Sequence, residues 1–143
     1  MQPKFVHLRF HSEYSITDGI VRLNPAIKQM KEWGVGAFGQ TDLMNMFGSV
    51  RFYESCHKEG IKPILGCDLW ITNGEDPAHP FRLTVYCMDH DGYHSLCVLL
   101  TRAWLENQCH VKGRGEVKES WLAGEGTKGL IGISGGPEGE IQT

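Results

Sequence analysis

Three residues near the start of the chain have types and spacing that could do chemistry together. His7, Arg9 and His11 occupy alternate positions, with Val6, Leu8 and Phe10 between them. Successive side chains of a strand point to opposite faces. This spacing therefore predicts a polar face with two imidazoles and a guanidinium, backed by an apolar one. Imidazole nitrogens can ligate a metal, whereas a guanidinium can only donate to anions. Neither is cheap to bury alone, so the pattern asks for a metal or for carboxylates opposite it. Asp18, Asp42 and Asp68 fall where strands are expected to end, as does Ser134.

Other candidates carry less. Ser12 and Ser15 have no base placed to activate them and read as caps of the turn after the first strand. Gly135-Gly-Pro-Glu-Gly139 lacks the lysine of a phosphate-binding loop and reads as a turn. His57, His79, His90, His94 and His110 lack ligand spacing and read as surface or capping residues. Cys56, Cys67, Cys87, Cys97 and Cys109 are odd in number and contain no C-x-x-C. Reduced thiols packed in a core are expected, not a disulfide framework or a zinc ribbon.

The elements that must position these groups alternate in type. Residues 5–10 read as a strand. Asn24-Pro25 reads as a helix start, and that helix runs through Ile27 and Met30 to Gly34. A short apolar run over 35–40 ends in Thr41-Asp42. A second helix is expected from about Asn45 to Glu59, with Val50, Tyr53 and Cys56 on its buried stripe. A strand should begin after Pro63 and run to Thr72, followed by a loop over 73–80. Residues 81–88 alternate as a strand, and 91–108 form a helix with Tyr93, Leu96, Leu99 and Leu100 turned inward. Residues 113–115 read as a flexible break, 116–123 as a short helix and 130–134 as a last strand. This alternation predicts an α/β fold with a largely parallel sheet. In α/β barrels the strand ends carry the site, and a closed barrel needs about 250 residues. The chain therefore reads as a portion of a barrel.

With 143 residues and 41% hydrophobic content, one domain over 1–143 is expected. A net charge of −3 with interspersed signs gives no footprint for general nucleic-acid binding, so DNA should be met only indirectly. No apolar run could span a membrane and the start lacks a leader-like apolar region, so a cytoplasmic location is expected.

The order of several motifs resembles a known family. His7-Leu-Arg-Phe-His-Ser-Glu-Tyr-Ser15 with Asp18-Gly19 resembles the first motif of the polymerase and histidinol phosphatase (PHP) domain. Thr41-Asp-Leu-Met-Asn45, Phe47-Gly-Ser-Val-Arg-Phe-Tyr53, Gly60-Ile-Lys-Pro-Ile-Leu-Gly66, Gly92-Tyr-His-Ser-Leu96 and Leu130-Ile-Gly-Ile-Ser-Gly135 follow in order. That order is similar to the N-terminus of bacterial DNA polymerase III alpha subunits. The resemblance covers nearly the whole chain. It implies a PHP-type distorted TIM-like (β/α)7 barrel, present here only as its N-terminal portion. It also implies a parent that is a DNA-directed DNA polymerase using magnesium, with its nucleotide-joining carboxylates far downstream of this chain.

Active members of the family hold up to three metal ions and hydrolyse phosphoesters with a metal-bound water. Carried over residue by residue, that pattern is damaged here. The family's first H-x-H pair falls on Arg9 and His11. A second histidine is Leu43, in Thr41-Asp42-Leu43. The carboxylate after the third strand is Asp68, where a glutamate is usual. Another histidine position is Arg82, in Phe81-Arg-Leu-Thr84, and a frequent ligand cysteine is Gly136. The last Asp-x-His ligands would lie beyond Thr143. His11, Asp18, Asp42 and Asp68 are retained, with His7 beside them.

Arginine cannot ligate a metal and leucine offers nothing. The resemblance thus implies a segment with no catalytic residue, no metal and no cofactor of its own. Arg9 and Arg82 are expected to replace metal charge by pairing with Asp18, Asp42 or Asp68. The expected role is structural, with docking of the proofreading exonuclease subunit and of the remainder of the alpha subunit, and no membrane contact. Two alternatives stand beside it. One is a residual metal-dependent phosphoesterase or 3′–5′ exonuclease using Asp42, Asp68 and His11. The other is a free-standing PHP pseudoenzyme.

Overall fold

A computed structural model describes residues 5–109 and 112–142. It divides into two compact units at the junction of Cys67 and Asp68. His110 lies outside the described residues.

The first unit packs two helices on a short parallel pair of strands. Helix α1 spans Leu23–Glu32, two residues ahead of the start expected at Pro25, and buries Leu23, Ile27 and Met30. Strand β1, Ala37–Gln40, pairs in parallel with the start of β2, Lys62–Ile71, with Ala37 opposite Lys62 and Gln40 opposite Leu65. Phe38 sits at the centre of this core against Phe10, 4.9 Å between rings, and Phe52, 5.6 Å.

Helix α2 spans Ser49–Glu59. It starts later than expected because Asn45 is committed to the loop before it. Asn45 Nδ2 donates to the Tyr14 and Leu43 carbonyls, and its Oδ1 accepts from Phe47 N–H. The buried stripe is Ser49, Phe52 and Cys56, whereas Val50 and Tyr53 are 65% and 47% exposed. Phe52 is the large side chain that reaches Phe38, and turning it inward forces Val50 and Tyr53 out. Gly60 ends α2 at φ 73°, a left-handed stop that glycine adopts without steric penalty.

The expected first strand is not one. Residues 5–10 form no regular strand, although Gly39 N–H donates to the His7 carbonyl and Thr41 N–H to the Phe10 carbonyl. Two residues on β1's side therefore face three on the other. One extra residue reverses the side-chain alternation, as a bulge does. His7 and Phe10 consequently both turn toward Phe38, with His7 6.4 Å away edge-on, while Leu8 and Arg9 are exposed.

In the second unit β3, Phe81–Cys87, lies between β2 and β6, Leu130–Ser134. Strand β6 pairs antiparallel to β3, from Leu83 opposite Ser134 to Cys87 opposite Leu130. The largely parallel expectation thus holds for β1 and β2 and fails here. Helix α3, His90–Glu106, is capped by Asp89, which accepts from Gly92 N–H, and buries Leu96, Leu99, Leu100 and Ala103. Residues 113–115 are no flexible break. Arg114–Gly115 is a strand, β5, paired antiparallel with β4, Gln108–Cys109. The helix expected over 116–123 shrinks to a 3₁₀ turn at Glu119–Leu122, because Val117 exchanges backbone hydrogen bonds with Trp70 and Thr72. The glycine-rich 135–139 segment is a turn with a 3₁₀ element at Gly136–Glu138.

Among the described residues no disulfide joins the cysteines. Burial pushes the Cys56 thiol up to about 12 and, as the largest cause, the Cys87 thiol to about 11. No helix of the described residues is long and apolar enough to cross a membrane.

Candidate functional site

The candidate residues gather into two hydrogen-bonded clusters, one in each unit. In the first, Asp42 follows β1 and is 2% exposed. Its carboxylate accepts from Ser12 N–H at 2.6 Å, Ser12 Oγ at 2.7 Å and Gln40 Nε2 at 2.7 Å. Gln40 and Asp42 are two residues apart in extended chain, so both point to the same side. Burial raises the Asp42 pKa above the ordinary carboxylate value, opposed by the Ser12 and Gln40 hydrogen bonds and by His11.

Beside it, Asp18 bridges two groups. His11 Nδ1 lies 2.8 Å from Asp18 Oδ2, and Ser15 Oγ donates to Asp18 Oδ1 at 2.5 Å. Ser15 Oγ in turn accepts from Leu43 N–H at 2.9 Å. Leu43 thus enters through its backbone while its side chain brings no ligand. The carboxylate accepts from the Ser15 hydroxyl through one oxygen and meets the His11 imidazole through the other, so it links the two side chains. Two constraints fix this loop. A Cβ on Gly19 would lie 1.8 Å from the Ser12 carbonyl oxygen, and Ser12 bridges to Val21.

The second cluster stands on one face of β2 and β3. Asp68 and Trp70 alternate on β2, and Arg82 and Thr84 alternate on β3. Asp68 is fully buried and Arg82 is 9% exposed. Thr84 Oγ1 donates to Asp68 Oδ1 at 2.5 Å. Arg82 Nη1 lies 3.6 Å from Asp68 Oδ2, and its guanidinium carbon lies 4.4 Å from the Trp70 ring centre. Glu138 Oε2 comes within 3.0 Å of Arg82 Nε, without the alignment of a hydrogen bond. The pairing expected between Arg82 and an aspartate is therefore present with Asp68.

His7, Arg9 and Gly136 complete the candidate set. His7 packs edge-on against Phe5 and Phe38, so it belongs to an aromatic edge and not to a polar face. Arg9 is exposed. Gly136 has φ 66° in its turn and brings no side chain. Of the outlying histidines, His79 pairs with Asp76 at 2.7 Å and His57 meets the Tyr53 ring at 4.7 Å in a tilted contact.

Sequence reading missed Gln40, Trp70, Thr84 and Glu138, and gave Ser12 and Ser15 only a capping role. For Gln40, Trp70 and Thr84 a signal existed, since each lies two residues from a named candidate on the same extended segment. Glu138 carried none. The donor set does not suit a multi-metal centre. Arg82 and Leu43, where the family resemblance would put ligand histidines, bring no lone pair, and Asp42 already accepts three hydrogen bonds. Among the described residues no group of three or more His, Cys, Asp or Glu side chains is arranged to hold a metal ion.

Strands that alternate with helices, and polar clusters at the ends of β1 and along β2 and β3, define a PHP-type α/β domain. The PHP domain family matches residues 7–143, and the chain belongs to that family. It is 41% identical over 140 residues to the DNA polymerase III subunit alpha of Neisseria meningitidis serogroup A, covering 98% of this chain and 12% of that protein. It is 41% identical over 142 residues to the same subunit of Pseudomonas fluorescens, covering 99% and 12%. The chain thus spans 12% of the length of these curated relatives. Among solved structures, an amidohydrolase from Chromobacterium violaceum superposes with a TM-score of 0.54 at 18% identity, covering 68% of this chain and 32% of that one. This last likeness bears on the fold alone.

Proposed function

We propose that the chain is the N-terminal PHP domain of a replicative DNA polymerase III alpha subunit, and that its ancestral metal pocket now serves as structure. The observation that carries this reading is the likeness to that subunit over 98% of the chain. The Arg82 guanidinium beside Asp68 supports the structural role, because a fixed positive charge stands where the family pattern places a ligand histidine. The full protein joins nucleotides with carboxylates and magnesium outside this chain, and the chain itself hydrolyses nothing.

A domain with no hydrolytic centre leaves proofreading to a partner. The surface of the domain is accordingly a dock for the proofreading exonuclease subunit and for the remainder of the alpha subunit, in the cytoplasm. Hydrogen exchange of the full-length protein, with and without the exonuclease subunit, tests the dock. Protection gained by amides within residues 5–142 is the expected outcome. Protection confined to other regions would overturn it.

A further inference from the structure

The net charge of −3 hides a local excess of positive charge on the first unit. Two cavities lined from α1 and α2 share Asn24, whose Oδ1 accepts from Ser55 Oγ at 3.2 Å. Arg22 and Arg51 line one, with Glu13 as its single carboxylate, and Lys28 and Lys58 line the other, with Glu59. All four cations are exposed.

Four cations line the groove against two carboxylates, Glu13 and Glu59, while Glu32 and Glu54 stand elsewhere on the same two helices. Glu59 Oε2 accepts from Lys31 Nζ at 2.7 Å, and that bond, with Lys28 and Lys58 adding, holds its carboxyl below the ordinary range. Three lysines therefore converge on one glutamate. Arg51 Nη1 donates to Tyr14 Oη at 2.8 Å, which fixes the direction of its guanidinium without cancelling its charge. Asn24 and Ser55 add neutral polar groups between the two pairs of cations.

We propose that this groove binds the phosphodiester backbone of DNA without reading its sequence. Rows of lysine and arginine with interleaved amides and hydroxyls hold phosphate oxygens in register. A peptide would need apolar anchors, and Leu23 and Ile27 beneath the groove are both buried at 1% exposure. The inference goes beyond the scaffold role proposed above, in which DNA is met only indirectly, and it holds whether or not the exonuclease subunit docks.

The test uses the full-length protein carrying this chain and a fluorescein-labelled DNA duplex of random sequence, titrated by anisotropy across a salt series. Each lost phosphate contact lowers the slope of log K against log salt by about 0.9 on duplex DNA. R22Q/R51Q and K28Q/K58Q should each lower it by roughly two. R22K/R51K should keep it, because lysine still neutralises a phosphate, and this variant separates loss of charge from loss of fold. K118Q/K128Q, the same charge change elsewhere, should leave the slope unchanged. An unchanged slope in both groove variants, or an equal fall in K118Q/K128Q, overturns the proposal. So does an intact slope joined to lost affinity for the exonuclease subunit, which would make the groove a protein dock.

Discussion

Replacing Arg82 by alanine removes a cation from beside a fully buried carboxylate. Asp68 and Arg82 are 0% and 9% exposed, and their closest charged atoms are 3.6 Å apart. At an effective dielectric constant of about 20, that separation corresponds to roughly 4–5 kcal/mol of attraction. Contact with Trp70 at 4.4 Å contributes about another 1 kcal/mol. The 3.6 Å gap exceeds hydrogen-bond length, so the pair is held by charge and packing and not by a directed bond. Thr84 still donates to Asp68 once Arg82 is gone, but a neutral donor does not replace the lost positive charge. Arg82→Ala should therefore cost about 3–5 kcal/mol, as removal of one member of a buried pair does. The local readout is amide exchange in β3, which should accelerate by roughly two to four powers of ten, at about 1.4 kcal/mol per tenfold. The double variant R82M/D68N removes both charges and keeps the volume, and should recover most of the protection. Unchanged β3 exchange in Arg82→Ala, or a double variant as labile as the single one, refutes the reasoning.

The first unit makes its own predictions. Asp42→Ala leaves Ser12 N–H, Ser12 Oγ and Gln40 Nε2 without their acceptor and should cost about 3 kcal/mol or more, read by exchange of the Ser12 amide. Burial raises the folded Asp42 pKa, so its contribution is fully present below the ordinary carboxylate value and is lost as pH rises through the folded value. Asp42→Asn should flatten that part of a stability-against-pH profile, and an unaltered profile would contradict the assignment. Gly19→Ala would place its Cβ 1.8 Å from the Ser12 carbonyl oxygen. It should cost about 1–3 kcal/mol or more and open residues 12–21 to limited proteolysis. The Cys56 and Cys87 thiols, raised to about 12 and about 11, hold roughly one part in ten thousand and one in a thousand as thiolate at pH 8. Both should resist iodoacetamide until the protein is unfolded, and rapid native labelling of Cys56 would contradict its burial.

Much of this organisation was legible in the residues, and the failures have physical causes. Helix α3 announces itself because Leu96, Leu99 and Leu100 follow the helical period and Asp89 can cap it. The alternation of His7, Arg9 and His11 is real in sequence, but a single extra residue against β1 decides which side each one faces. No local pattern encodes that residue, since it depends on which carbonyls β1 selects. Val50 and Tyr53 satisfy the same helical spacing as Ser49 and Phe52, and only the demand of Phe38 for an aromatic neighbour chooses between them. A carboxylate partner for Arg82 was expected from sequence, since a buried guanidinium needs one, but the choice of Asp68 over Asp18 and Asp42 was not. The Asp18 and Asp42 partners were not, since Ser12, Ser15 and Gln40 pair with them through turns and close backbone approaches. Net charge gives no sign of where the cations lie, since it sums Arg22, Arg51, Lys28 and Lys58 with acids throughout the chain.

The central claim is that the family's metal pocket has become structure. Anomalous diffraction from crystals of the full-length protein soaked in manganese addresses it most directly. The account predicts no anomalous peak at His11, Asp42 or Asp68, with Arg82 still against Asp68. A manganese peak bridging His11 and Asp42, accompanied by hydrolysis of a labelled primer in the absence of the exonuclease subunit, would contradict it.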